Sequence, residues 1–162
     1  MTRPEPTAVS GVAGSAASRL KARAVGYLSR REHSRAELRR KLAPHAEDPT
    51  MIEAVLDELA AGQWQSDSRY VQGYVRAKAS RQGTLRIVQA LRQQGVDEAE
   101  LDAVRRELQG TEYARAQQVW QGRFSEPATE AREYARQYRF LAGRGFAADI
   151  IRAVLARRDP DA

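Results

Sequence analysis

The chain has 162 residues and no cysteine, which excludes a disulfide framework, a thiol nucleophile and a thiolate metal site. Its 27 Lys and Arg against 21 acids leave a net charge of +6 and an isoelectric point near 10.0. That points to an anionic partner, nucleic acid first, with an ordinary soluble protein of arginine-rich composition as the plain alternative. No apolar run approaches the roughly 20 residues of a membrane helix, and the N-terminus lacks the continuous apolar stretch of a signal peptide, so a cytoplasmic protein is expected.

Residues 1–18, rich in Ala, Ser, Gly and Pro without apolar periodicity, read as a flexible tail. Helix formers dominate from Leu20, and β-branched residues never alternate as a strand requires. A first helix is expected over 19–31 and a second over 34–44, where Ser34-x-x-Glu37 forms a capping box that satisfies orphan backbone donors. Asp48-Pro49 opens a third over 49–61, because proline at the first helical position lacks only an N–H that would be orphaned anyway. Helices follow over 67–81, 84–94, 98–109 (opened by the box Asp97-x-x-Glu100), 112–124, 128–142 and 147–157. Gly62, Gly83, Gly95, Gly110 and Gly145 mark helix ends.

These helices fall into three sets of three because the apolar positions recur. Leu42, Leu91 and Leu141 lie 49 and 50 residues apart, as do Ile52, Leu101 and Ile151, and Val55, Val104 and Val154. Val25, Tyr74 and Phe124 carry the register into the first helix of each set, and Gly95-Val96 and Gly145-Phe146 match at an interval of 50. Five registers with one spacing define a repeat. The expected architecture is all-α, with three tandem three-helix modules (19–62, 63–110 and 111–158) forming an elongated, curved array.

Charge is segregated within the modules. Arg19 to Lys41 carries nine cations against Glu32 and Glu37, Arg69 to Arg92 six cations and no acid, and Arg132 to Arg144 four arginines against Glu133. Glu47 to Glu58 holds five acids and no base, and Asp97 to Glu107 five acids against Arg105 and Arg106. Salt bridges between modules would account for this pattern. Surface pairs contribute only about 0–1 kcal/mol each, however, so a functional basic strip along phosphate or an acidic groove is the preferred reading.

Catalysis and metals find little support. His33 and His45 have no partner at ligand spacing, and Glu53, Asp57 and Glu58 on one helix read as a solvated face. There is no phosphate loop or nucleophile elbow, and Asp67 in Ser66-Asp67-Ser68-Arg69-Tyr70 reads as a helix N-cap. Neither an enzyme nor a cofactor is expected. Tyr70, Tyr74, Trp120 and Phe124 have the helical spacing of core residues, although stacking on single-stranded bases is the alternative. Trp64 reads as a wedge between modules one and two.

Four ordered motifs then resemble the RecX family. Arg31-Glu32-His33-Ser34-x-x-Glu37-Leu38-x-x-Lys41-Leu42, after Tyr27-Leu28-Ser29, is similar to the family's opening signature. Asp67-Ser68-Arg69-Tyr70-Val71, with Tyr74-Val75 and Arg76, resembles the start of its second module. Gly83-x-x-Arg86-Ile87-x-x-x-Leu91-x-x-x-Gly95-Val96 resembles its central segment, and Phe140-Leu141-x-x-Arg144-Gly145-Phe146 its closing one. The resemblance runs from about Lys21 to Leu155, with Thr84 and Ala90 departing from the usual Pro and Glu. It implies a non-enzymatic regulator that binds RecA filaments on single-stranded DNA. Such a regulator restrains recombinase, ATPase and co-protease activities, and so modulates DNA repair and the SOS response.

Candidate contacts to RecA or to DNA directly are Arg30, Arg31, Arg35, Arg39, Lys41, Arg76, Lys78, Arg81 and Arg86. The competing reading is a sequence-specific helix-turn-helix regulator, but its third helices would enter the major groove and here two of them are acidic. A scaffold that binds only protein is the other alternative, and it would show little salt-dependent affinity for DNA.

Overall fold

The computed structural model describes the backbone of residues 9–156 and the side chains from residue 14 onward. Among these residues there are nine α-helices and no strand: α1 (Val9–Leu28), α2 (Arg35–Leu42), α3 (Pro49–Ala61), α4 (Asp67–Lys78), α5 (Thr84–Gln93), α6 (Glu98–Gln109), α7 (Glu112–Gln121), α8 (Ala131–Gly143) and α9 (Ala148–Ala156). The chain divides into two compact units, residues 1–70 and 71–162.

In the first unit, α1, α2 and α3 enclose Leu20, Ala24, Leu38, Leu42, Ile52, Val55, Leu56 and Leu59. In the second, α7, α8 and α9 bury Ala116, Leu141, Phe146, Ile151, Val154 and Leu155, and α5 packs on α6 over Ile87, Leu91, Leu101 and Val104. The repeat register lies in these cores: Leu42, Leu91 and Leu141 are each fully buried, and the Ile52/Leu101/Ile151 and Val55/Val104/Val154 sets are buried throughout. The paired glycines have a backbone cause. Gly95 and Gly145 adopt positive φ (78° and 88°), and the next N–H, of Val96 or Phe146, bonds back to Leu91 or Leu141. This left-handed cap brings the following apolar side chain under the helix end. In the first repeat Pro44 replaces that cap with a single 3-10 turn over Ala43–His45.

Several helix ends depart from the sequence reading. The tail expected over 1–18 is helical from Val9, since Ala-rich sequence beyond Pro6 contains no helix breaker other than glycine; residues 1–8 lie outside the described residues. α7 stops at Gln121, so Phe124 sits in the connection to α8 rather than in a helix, although it is buried. Gly83 does not end α4, which stops at Lys78; it is the N-cap of α5. Asp67 is not an N-cap either: Ser66 Oγ accepts the Arg69 N–H (3.2 Å) and fills that role. Trp64 is 56% exposed and does not act as a buried wedge, whereas Tyr70 is buried and Tyr74 half-buried.

Candidate functional site

The nine candidate cations divide by what they touch. In the first repeat the basic α2 lies along the acidic α3. Arg35 reaches Glu53 (2.9 Å) and Asp57 (2.6 Å), and Arg39 hydrogen-bonds Glu53 as well. Lys21 of α1 meets Glu58 at 2.5 Å. The Arg39 and Arg35 hydrogen bonds hold the Glu53 carboxyl at about 2, well below the ordinary carboxylate value. The acids read as a solvated face thus neutralise two of the proposed contacts, within the repeat rather than between repeats.

A second group surrounds His33, which is buried. Its Nδ1 donates to the Arg31 carbonyl (2.9 Å), which leaves Nε2 to accept from Lys41 Nζ (3.1 Å). Burial lowers the His33 pKa, and its backbone bond and Glu37 only partly oppose this. Arg31 grips the Glu37 carboxylate with both terminal nitrogens (2.5 and 3.1 Å), and Lys41 lies 5.0 Å from the Tyr27 ring centre. Burial alone would raise the Glu37 pKa, but Arg31, His33 and Lys41 hold it below normal. Ser34 Oγ accepts the Glu37 N–H as the capping box requires, while the Glu37 carboxylate serves Arg31.

The other five candidates meet no acid among the described residues. Arg30 and Arg76 are exposed and without a described side-chain partner. Lys78 sits 6.0 Å over the Tyr74 ring, Arg81 donates to the Ala77 carbonyl (3.4 Å) and Arg86 to the Gly143 carbonyl (3.0 Å).

The repeats are joined by a clasp made twice. In the first unit the Asp67 carboxylate accepts the Arg35 N–H (2.8 Å) and Gln65 donates to the His33 carbonyl (3.3 Å). In the second unit, where Thr84 and Gln82 stand 49 residues after Arg35 and His33, Glu112 accepts the Thr84 N–H (3.3 Å) and Arg115 donates to the Gln82 carbonyl (2.7 Å). Arg115 is 9% exposed; it also holds the Ala79 carbonyl (2.9 Å) and the Thr84 hydroxyl (3.2 Å), and burial lowers its pKa. The first residues of each new repeat therefore cap the second helix of the repeat before it. At the second junction the backbones come close enough for Gly83 N–H to reach the Arg144 carbonyl (2.8 Å) and Leu85 N–H the Gly145 carbonyl (3.1 Å). A Cβ on Gly83 would overlap the Gly145 carbonyl, so only glycine fits.

Comparison with known proteins gives this tandem architecture a family. The first three-helix domain of RecX matches residues 21–59, the second 66–109 and the third 111–155. The chain belongs to the RecX family. Relatives of this RecX-family chain include the regulatory protein RecX of Leptothrix cholodnii, 50% identical over 86% of this chain and 89% of that one. That of Ralstonia nicotianae is 47% identical over 86% and 88%. A crystal structure of RecX from Lactobacillus salivarius shares the fold with a TM-score of 0.75 at 20% identity, over 88% of this chain and 96% of that one. A second RecX crystal structure matches with a TM-score of 0.78 over 96% and 81%.

In this RecX-family chain the described residues hold no cluster of three His, Asp or Glu fit for a metal ion. No described helix is long and apolar enough to cross a membrane. The sequence reading missed the clasp. Equal spacing of Arg35 with Thr84 and of His33 with Gln82 marks the earlier side of the clasp, at the start of the second helix of each repeat. The donors Gln65 and Arg115 differ in type, which hides the correspondence.

Proposed function

We propose that this chain regulates RecA without catalysing a reaction of its own, binding the RecA filament on single-stranded DNA in the cytoplasm and reducing recombinase, ATPase and co-protease activity. The observation that carries the reading is the match of all three RecX domains, in order, to a chain whose cationic stretch from Arg69 to Arg92 contains no acid. Contacts come from Arg30, Arg76, Lys78, Arg81 and Arg86, which meet no acid among the described residues. Arg31, Arg35, Arg39 and Lys41 hold α2 in its repeat and meet the partner only with their outer edges.

The test is ATP hydrolysis by RecA on single-stranded DNA. Inhibition is expected below one regulator per RecA, because blocking a growing filament end silences many subunits. Arg76→Glu with Arg81→Glu should weaken filament binding and flatten its salt dependence, each phosphate left without its cation reducing the slope on single strands by about 0.7. Inhibition only at concentrations that saturate the DNA would favour simple competition for DNA and overturn the reading.

A further inference from the structure

Trp64 lies just past the end of α3 with its side chain 56% exposed. A single exposed apolar residue is ordinary on a protein surface; this one is held out by a backbone that adopts an unfavourable conformation to do so. α3 closes in a left-handed cap, in which the Gln63 N–H bonds to the Ala60 carbonyl (3.1 Å) and the Trp64 N–H to the Leu59 carbonyl (2.9 Å). The left-handed position of such a cap usually takes glycine. Here it is Gln63, at φ 60°, the one non-glycine residue with positive φ among the described residues. The glycine stands one position earlier, where Gly62 has φ −83°, open to any residue. What needs the missing Cβ at Gly62 is the indole, because a Cβ there would stand 3.2 Å from Trp64 Cδ1.

The chain on either side of the indole is clamped. Arg69 donates to the Gln63 carbonyl (2.8 Å) and the Trp64 carbonyl (3.2 Å), and Glu32 accepts its Nε–H (2.9 Å). Gln65 is buried and donates to the His33 carbonyl (3.3 Å) and to Asp67 (2.9 Å). Strained backbone persists only where its surroundings over-determine it, and such places cluster at binding surfaces. Ala60, Gln63, Ser66, Asp67, Arg69 and Arg35 line an open groove of about 440 Å³ beside this segment. Both of its cations are engaged, Arg69 by Glu32 and Arg35 by Glu53 and Asp57. The surface therefore offers a fixed indole and polar groups of both signs, with no cation left over for a phosphate.

We propose that Trp64 is a protein-directed anchor. Its indole enters an apolar slot on a RecA subunit and gives its Nε1–H to an acceptor there, while the groove beside it supplies the polar rim. Tryptophan is enriched among the few residues that dominate protein interfaces, at the centre of a contact ringed by polar groups. Holding the side chain in place before binding lowers the ordering cost of association, which gives the strained cap a use. A single strand would need cations along its backbone as well as a ring to stack on, and this surface has none free. The proposal rests on the RecA reading and assigns one of its contacts to protein instead of DNA.

The test is binding of the full chain to RecA filaments assembled on immobilised oligo-dT, over a range of salt, with oligo-dT alone in parallel. Trp64→Ala should lower affinity for the filament about tenfold or more. Its salt slope should stay that of the parent, because no phosphate contact is lost, and neither oligo-dT binding nor the thermal midpoint should change. Arg76→Glu with Arg81→Glu should do the reverse to the slope. Trp64→Gln, a residue type already present on both sides, carries the same test should the alanine variant lose stability. Parental filament affinity in a folded Trp64 variant would overturn the anchor and leave the RecA reading standing. Equal losses on filament and on bare oligo-dT would overturn it too, since the indole would then be stacking on bases. A parent chain that does not bind RecA filaments would refute the RecA reading and the anchor with it.

Discussion

Replacing Gly83 with alanine probes the second repeat junction at its closest point. The added methyl would sit inside contact distance of the Gly145 carbonyl and the Phe146 nitrogen, both backbone atoms that cannot rotate away. Accommodating it means moving α5 from the end of α8, at about 1–3 kcal/mol for overpacking. The Gly83-to-Arg144 and Leu85-to-Gly145 hydrogen bonds would be stretched at the same time, about 0.5–1.5 kcal/mol each. Gly83 has φ −76°, a conformation alanine adopts freely, so restricting the unfolded chain returns about 0.4–1 kcal/mol. The net destabilisation is about 2–4 kcal/mol, roughly 5–15 °C in midpoint for a chain of this size. Thermal unfolding followed by circular dichroism measures it, and amide exchange at Leu85 localises it. Gly73→Ala, at a position inside α4 with open space around its Cβ, is the opposing control and should stabilise by about 0.5–1 kcal/mol. A Gly83→Ala chain as stable as its parent would mean that the two backbones do not meet.

Leu91→Ala, at a fully buried position between α5 and α6, should cost roughly 2–5 kcal/mol in denaturant unfolding; an unchanged midpoint would refute the repeat register. Arg115→Met keeps volume but removes the donors to Ala79, Gln82 and Thr84, and loss of these bonds at two half-buried carbonyls should cost about 0.5–1.5 kcal/mol each, visible as faster exchange around residues 79–84. His33 is held below its ordinary value of 6.5 by burial, so the unfolded chain takes up the proton first. Its contribution to stability is therefore complete above pH 6.5 and declines as pH falls from 6.5 through the lower folded value. His33→Gln should remove that part of the pH profile, and an identical profile in the variant would show that another group titrates there.

The helices and their grouping were legible because local chemistry and core periodicity agree: Asp48-Pro49 and Asp97 start helices where the sequence places them, and the recurring Leu, Ile and Val are buried. What was not legible depends on residues far apart in sequence. Asp67 has the composition of an N-cap, yet its carboxylate serves a helix 32 residues earlier. The end of α7 at Gln121 is not written in its periodicity, because Phe124 packs edge-on against Phe140 (5.3 Å) from a loop as well as it would from a helix. Among the candidate contacts, type and spacing identified which side chains are cationic. They did not reveal that Arg35 and Arg39 turn toward Glu53, since a helix face is shared equally well by a partner and by a neighbouring helix.

Capping by the following repeat also sets an order of events during synthesis. α2 is complete in sequence at Leu42, but its first backbone donor waits for Asp67; α5 ends at Gln93 and waits for Glu112 and Arg115, the latter 31 residues beyond Thr84. At about 5–20 residues per second on the ribosome, each helix stands unfinished for roughly 2–6 s after its own start has emerged. A nascent chain released at residue 110 would keep every residue of α5 and α6 and still lack the groups that close α5, so premature termination between repeats would yield a species marked for proteolysis by its own frayed end.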